Sequence, residues 1–422
     1  MYKRILVSAL TFSAIGTLAL GTVTAQDMTT EVVEGNNDFA LNLYHELSTT
    51  EGNIFVSPYS ISQALAMTYA GATGQTAEEM AETLQFNVGH PALHEAFNLI
   101  NTDLVTRGNA EAVPENGRAG RQLNIANALW GEQTYPFNPE FLNLLDEYYA
   151  GGFYPTDFMN DPDGARDTVN QWVAEQTEDL IQDIVPQGVF NASTRLALAN
   201  AIYFNNAWVF DFNENATSDE DFFLLDGSAI SVPTMHQQEQ FGYSEGEGYQ
   251  AISLPYQGSN MSMWIVLPED GTFTDFETSF DREALDSIVA QAVRNEVRLS
   301  LPRFELEYDV ELANVLSDMG MIAAFNRDLA DFSGMADINS PDYSEAQRLF
   351  ISAVLHKAFI RVDEVGTEAA AATVVVMELA GAAPGEIVEP IVMDVNSPFL
   401  FVIRDDATGS LLFMGRVVNP IS

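Results

Sequence analysis

Two periods of hydrophobic and polar positions run along this chain. A spacing near 3.6 residues, the mark of an amphipathic helix, covers 38–47, 60–69, 77–84, 91–104 and 169–184. Ser60 stands where a cap begins the second of these helices. Strand-like runs follow at 196–204, 249–255, 261–267, 297–301, 351–362, 399–403 and 411–418. Helices predominate early and strands late, without regular alternation. That order predicts an α+β fold rather than a doubly wound parallel sheet. From Asp38 onward no long Pro/Ser-rich linker, charge block or repeat divides the chain, and 107–121 reads as a loop. One domain over 38–422 is therefore expected, although the length alone accommodates two or three.

The segment 367–379 is unusual on physical grounds. It follows a strand, has no turn residue after Gly366, and alternates with period two. Thr367, Ala369, Ala371, Thr373, Val375, Met377 and Leu379 fall on one face, and the only charges, Glu368 and Glu378, on the other. The first face begins small and ends apolar, which suits a strand laid into a sheet over a core. Extended, the run spans roughly 43 Å. An alanine-rich helix is a second reading, since Ala favours helix, but a helix scatters the valines over no single face. Periodicity leaves a permanent strand and a mobile loop equally open. The stretch 380–385 reads as a flexible, exposed turn region.

Residues 1–25 are set apart from the fold. Lys3 and Arg4 precede an apolar run from Ile5 to Val23, and small residues at Val23-Thr-Ala25 offer a cleavage site. This is the pattern of a secretory signal peptide, with a membrane anchor as the competing reading. Cleavage after Ala25 gives a secreted, extracellular chain that begins with a tail over 26–37. Formal net charge is −44 for the full chain and becomes −46 once Lys3 and Arg4 are removed. Such a chain repels nucleic acid and anionic lipid, so neither is an expected partner. Only Lys3 and Lys357 are lysines. An acidic, lysine-poor surface points to a saline or acidic medium, or simply to solubility. No cysteine is present, so stability is expected from core packing rather than disulfides.

The tools of an enzyme are missing. None of His45, His90, His94, His236 and His356 lies in an H-E-x-x-H zinc motif. His90 and His94 are four apart, but Pro91 between them makes a surface pair the expectation. No G-x-S-x-G elbow is present, and Gly71-Ala-Thr-Gly74 lacks the lysine of a phosphate loop. Asp161-Pro-Asp-Gly164 has no glutamate at the distance that closes a calcium loop. No cofactor, no metal and no catalytic residue is expected.

The run Glu364-Val-Gly-Thr-Glu-Ala-Ala-Ala-Ala-Thr373 resembles the hinge of inhibitory serpins, and its flanks agree. Upstream stands Ile351-Ser-Ala-Val-Leu-His-Lys-Ala-Phe-Ile-Arg-Val-Asp363. Downstream stand Ser397-Pro-Phe-Leu-Phe401 and Leu412-Phe-Met-Gly-Arg-Val-Val-Asn-Pro420. Asn53-Ile-Phe-Val-Ser-Pro-Tyr-Ser-Ile-Ser-Gln-Ala-Leu-Ala-Met67, Gly71-Ala-Thr-Gly-Gln-Thr76, Asn200-Ala-Ile-Tyr-Phe204 with Trp208, and Asp331-Phe-Ser-Gly334 are similar to further serpin motifs, in family order.

The resemblance implies a serpin fold: helices around three mainly antiparallel or mixed sheets, with an exposed reactive-centre loop at about 364–395. It implies a suicide inhibitor of serine proteases rather than an enzyme, and a monomer is the expectation, with the oligomeric state left open. A protease attacks the loop, forms an acyl-enzyme, and is trapped when the cut loop inserts into the main sheet. Family spacing places the scissile bond at Ala380–Gly381, which suits elastase-like or subtilisin-like proteases. A shift to Leu379 favours chymotrypsin-like ones. The hinge comprises Glu364, Gly366, Thr367, Glu368, Ala369, Ala370, Ala371, Ala372 and Thr373. Ser57, Ser60, Asn200 and His356 match the polar shutter beneath the point where the sheet opens. Trp208, Arg303 and Glu364 match the breach where insertion begins, with an ion pair between the last two. Val365, Arg361, Asn205-Asn206 and Glu178-Asp179 depart from the family pattern, and the distance from Gly381 to Pro398 is longer than usual. A serpin that binds or chaperones without inhibiting is the alternative.

Overall fold

The computed structural model describes residues 24–109, 120–258, 260–344, 348–367 and 389–421. Its first half is mostly helical: α1 (Ala25–Ser48), β1 (Ile54–Val56), α2 (Pro58–Tyr69), α3 (Gly74–Thr83), α4 (Ala92–Gly108), β2 (Gln122–Glu132), α5 (Pro139–Tyr148), β3 (Phe153–Thr156) and α6 (Pro162–Gln176). Strands then take over: β4 (Leu196–Ala207), β5 (Ser218–Phe223), β6 (Ala229–Gly246), β7 (Tyr249–Pro255) and β8 (Met261–Pro268). After α7 (Phe273–Ser279) and α8 (Arg282–Gln291) come β9 (Val293–Pro302), β10 (Phe304–Glu311) and α9 (Ala313–Asp318). The chain ends with β11 (Val354–Val362), β12 (Gly366–Thr367), β13 (Ile391–Asp394), β14 (Phe399–Asp405) and β15 (Leu411–Val417). The α+β class stands.

Among the described residues these strands form two sheets. A six-stranded mixed sheet runs β10-β11-β12-β4-β2-β3, and a nine-stranded one runs β1-β15-β14-β8-β7-β6-β9-β13 with β5 on β6. The expected second and third sheets are continuous here because β6 serves both, pairing with β9 through Thr234–Tyr243 and with β7 through Gly242–Gly246. Strand β4 shows how the sequence positions the six-stranded sheet. Leu196, Leu198, Ile202 and Phe204 pack into the main core on one face. Ala197, Ala199 and Ala201 pack on the other against Val169 and Val173 of α6. Burial on both faces explains why the strand reads as a nearly unbroken apolar run.

Several expectations are corrected. Residues 26–37 are not a tail but the first turns of α1, begun by a capping box in which Thr24 and Asp27 bond reciprocally. Val32, Val33, Asn36 and Asn37 are buried there. The cap of α2 is Ser57 rather than Ser60, because Pro58 occupies the first helical position. The helix expected over 169–184 starts and ends earlier. Asp161 caps α6, taking the Gly164 N–H, so the Asp-Pro-Asp-Gly sequence is a helix start. Glu178 and Asp179, at φ 51° and 63°, lie beyond its end in the left-handed region, where glycine is at ease.

Of the expected surface pair His90 and His94, only His90 is exposed. His94 is wholly buried, its Nε2 lies 2.7 Å from Nδ1 of His90, and its Nδ1 lies 2.7 Å from the Tyr149 hydroxyl. Pro91 precedes α4 rather than interrupting it, so His94 sits in the first turn and faces inward. Burial holds its pKa down at about 3. No described helix is long and apolar enough to cross a membrane. Residues 1–23 of the leader expected over 1–25 lie outside the described residues.

Candidate functional site

Among the described residues, Ser57, Ser60, Asn200 and His356, together with Gly366 and Thr367, gather at the seam between β4 and β11. These two strands are parallel and pair directly from Leu198 opposite Val354 to Ile202 opposite Ala358. Beyond that rung they part, and β12 fills the gap. Thr367 lies opposite Asn206 of β4 on one side and Val362 of β11 on the other.

The closed part of the seam is tied by a one-directional chain of side-chain hydrogen bonds. His356 and Asn200 are register partners. Nε2 of His356 accepts the Ser57 backbone N–H at 3.2 Å, so its proton sits on Nδ1 and is donated to Oδ1 of Asn200 at 2.5 Å. Asn200 in turn donates through Nδ2 to the Ser60 hydroxyl at 2.5 Å and to Oδ1 of Asn127. Ser60 also donates to Asn127, which donates onward to Gln63 at 2.7 Å. Ser57 Oγ donates to the Leu412 carbonyl and accepts the Ser60 N–H. Four elements, α2, β2, β4 and β11, are thus joined at one buried point, with a link to β15. Burial holds the His356 imidazole neutral, its pKa lowered to about 3.

The open end is organised around a reversal at Asp363. Its carboxylate accepts the N–H groups of Val365 and Gly366 at 2.9 and 3.2 Å. Gly366 returns the chain hard against β4. A β-carbon there would lie 2.2 Å from the Asn206 carbonyl oxygen, so no other residue fits. Trp208, buried, donates its indole N–H to the Asp363 carbonyl at 3.0 Å, while its backbone N–H donates to Val365. Tyr256 stacks on Trp208 with ring centres 4.5 Å apart. Its hydroxyl lies 2.6 Å from that of Thr367. Glu364 accepts from Arg303 Nε at 2.8 Å, from Arg303 Nη2, and from the Thr217 hydroxyl. Burial alone raises the Glu364 pKa, but the hydrogen bonds from Arg303 and Thr217 outweigh it and hold the carboxyl below its ordinary value.

The structure therefore brings Ser57, Ser60, Asn200 and His356 into one cluster, and Trp208, Arg303, Glu364, Gly366 and Thr367 into another. Glu368, Ala369, Ala370, Ala371, Ala372, Thr373, Leu379, Ala380 and Gly381 lie outside the described residues. On the far side, β13 pairs in parallel with β9, so the two ends of that segment belong to different sheets. Arg361, one of the departures, lies opposite Glu305 and bonds its carboxylate at 2.7 Å. Sequence reading missed Asn127, the hub of the cluster, though a signal exists. It shares parity with Leu123, Ile125 and Leu129 and is polar where an inward position is expected. Tyr256 and Thr217 carried no such signal, because their partners Thr367 and Glu364 are remote in sequence. Among the described residues no group of His, Asp or Glu side chains is arranged to hold a metal ion.

Comparison with known proteins agrees with this geometry. The family model described as serpin (serine protease inhibitor) matches residues 34–420. A serpin-like protein of Thermococcus kodakarensis is 38% identical over 389 residues, covering 92% of this chain and 86% of that one. Leukocyte elastase inhibitor A of Rattus norvegicus is 36% identical over 404 residues, covering 92% and 100%. Among solved structures, uncleaved ovalbumin superimposes with a TM-score of 0.79 at 26% identity, covering 92% of this chain and all of that one. The chain belongs to the serpin family.

Proposed function

We propose that this serpin is an exported inhibitor that traps serine proteases by inserting its cut reactive loop into the β4–β11 seam. The observation that carries the reading is the register of the two residues already in the slot. Gly366 lies opposite Ala207 and Thr367 opposite Asn206. Continued one residue at a time, that register puts Ala369 opposite Phe204, Ala371 opposite Ile202 and Thr373 opposite Asn200. On the β11 side, Thr367 lies opposite Val362, and the same continuation brings Thr373 opposite His356. The one polar residue in the middle of the loop's inward face then meets the polar cluster of the seam. After insertion its hydroxyl would take over from the His356–Asn200 bond that the new strand separates. On the outer face Ala372, Val374 and Val376 come opposite Ala201, Ala199 and Ala197, small residues under α6. Continued in this way, the register of β4 runs out at Leu196 opposite Met377, in keeping with a cut just beyond, near Ala380–Gly381.

In the proposed reaction the protease serine attacks the Ala380 carbonyl carbon and the new amine of Gly381 departs. Insertion then has to precede hydrolysis of the ester. The small residue before the cut favours elastase-like or subtilisin-like enzymes, in keeping with relatives named as leukocyte elastase inhibitors. Leu379 before the cut would favour chymotrypsin-like ones. Incubation with pancreatic elastase, subtilisin and chymotrypsin, followed by denaturing electrophoresis, tests the reading. A covalent complex that survives denaturation is expected. Clean loop cleavage with full protease activity remaining would overturn it in favour of a non-inhibitory serpin.

A further inference from the structure

We infer that Tyr256 is a positioning residue for loop insertion: its hydroxyl seats Thr367 as the first rung of the incoming strand before any protease arrives. This rests on the inhibitory reading above. Three observations meet at this point. Thr367 is almost completely buried and already strand-paired on both sides. Its only polar side-chain atom finds its partner in Tyr256, itself buried. The Tyr256 ring is fixed by stacking on Trp208 and by an edge contact with Phe204 at 4.9 Å. Trp208 is in turn bonded to the carbonyls of Asp363 and Val365. A rigid aromatic pair thus reads the chain just before and just within the slot, and sets which residue stands opposite Asn206.

The consequence is kinetic. A strand zipped from an existing rung adds one residue at a time. A loop that first has to find its register must form that rung after acylation, while deacylation competes. Loss of the Tyr256 hydroxyl leaves the Thr367 hydroxyl buried without a partner. The hinge then spends more of its time out of the slot, and more of the acyl-enzyme hydrolyses.

Tyr256→Phe keeps both ring contacts and removes only the hydroxyl. We expect it to raise the stoichiometry of inhibition severalfold, roughly the factor of five that one net hydrogen bond supplies. The second-order rate of loop attack should change less than twofold. Thr367→Val should do the same. The double variant, with both polar groups gone, should return most of the way to wild type, because matched apolar groups leave nothing unsatisfied. A general loss of packing would not be rescued in this way. An unchanged stoichiometry in Tyr256→Phe, or additive losses in the double variant, overturns the assignment. Hydrogen exchange of the 207–212 peptide, measured without protease, separates this claim from the inhibitory reading. The amides of Trp208 and Phe212 donate to Val365 and Glu364, and they should exchange about fivefold faster in Tyr256→Phe. Equal exchange in the two proteins refutes the seating even if inhibition is present. Faster exchange in a protein that forms no protease complex upholds the seating and refutes only the inhibitory reading.

Discussion

Acid should loosen the seam through one imidazole. His356 is wholly buried, accepts a backbone N–H at Nε2 and donates from Nδ1. A second proton has to enter at Nε2, where it meets the Ser57 N–H head-on and finds no acceptor. Burial lowers the folded-state pKa to about 3, against about 6.5 for an unfolded histidine. Between these values the unfolded chain binds the extra proton, so the stability lent by the neutral ring is complete above pH 6.5 and falls as pH drops toward 3. At pH 5 the loss is about 2 kcal/mol. Urea unfolding of wild type and His356→Gln at pH 7.5 and pH 5 isolates this contribution, because groups shared by both proteins cancel. The variant is destabilised at pH 7.5 by its broken bonds to Ser57 and Asn200. That gap should shrink by about 2 kcal/mol at pH 5. An equal gap at both pH values refutes the claim that a neutral His356 ties the seam.

Thr367→Arg should convert the inhibitor to a substrate. It forces an unpaired cation into a buried rung facing Tyr256, and a severalfold or greater rise in stoichiometry on titration with protease checks this. Arg416 bonds both carboxylate oxygens of Glu277 at 2.9 Å and also donates to the Ser48, Gly52 and Thr50 carbonyls. Arg416→Met strands a buried carboxylate and should cost roughly 3–5 kcal/mol in urea unfolding; a loss below about 1 kcal/mol would show that the pair is dispensable.

What was legible in the sequence follows a physical divide. Strand β4 announces itself because its two faces carry different residues, large apolar ones toward the main core and alanines toward α6. Alternation marks 367–379 only as a strand-competent segment, and the resemblance to serpins supplied its reading as a hinge. Family motifs supplied the pairing of Asn200 with His356, which periodicity alone does not reveal. The remainder depends on contacts between distant segments. His94 reads as exposed because its stretch is polar, yet Tyr149, 55 residues away, gives it a buried partner. The start of α1 is hidden because apolar periodicity fades before Asp38, while the cap that begins the helix, Thr24, falls within the stretch read as leader. Tyr256 looks like any aromatic in a sheet until the stack on Trp208 aims its hydroxyl at Thr367.

Inhibition by this chain requires insertion of the cut loop, and thermal unfolding of the loop-cleaved chain tests this most directly. Cleavage near Ala380 by a protease that is then removed should let residues up to Met377 pair with β4 and β11. About ten to twenty new backbone hydrogen bonds, each worth about 1 kcal/mol net, raise the midpoint by roughly 10–20 °C in a chain of this size. An intact and a cleaved protein that melt together would contradict it.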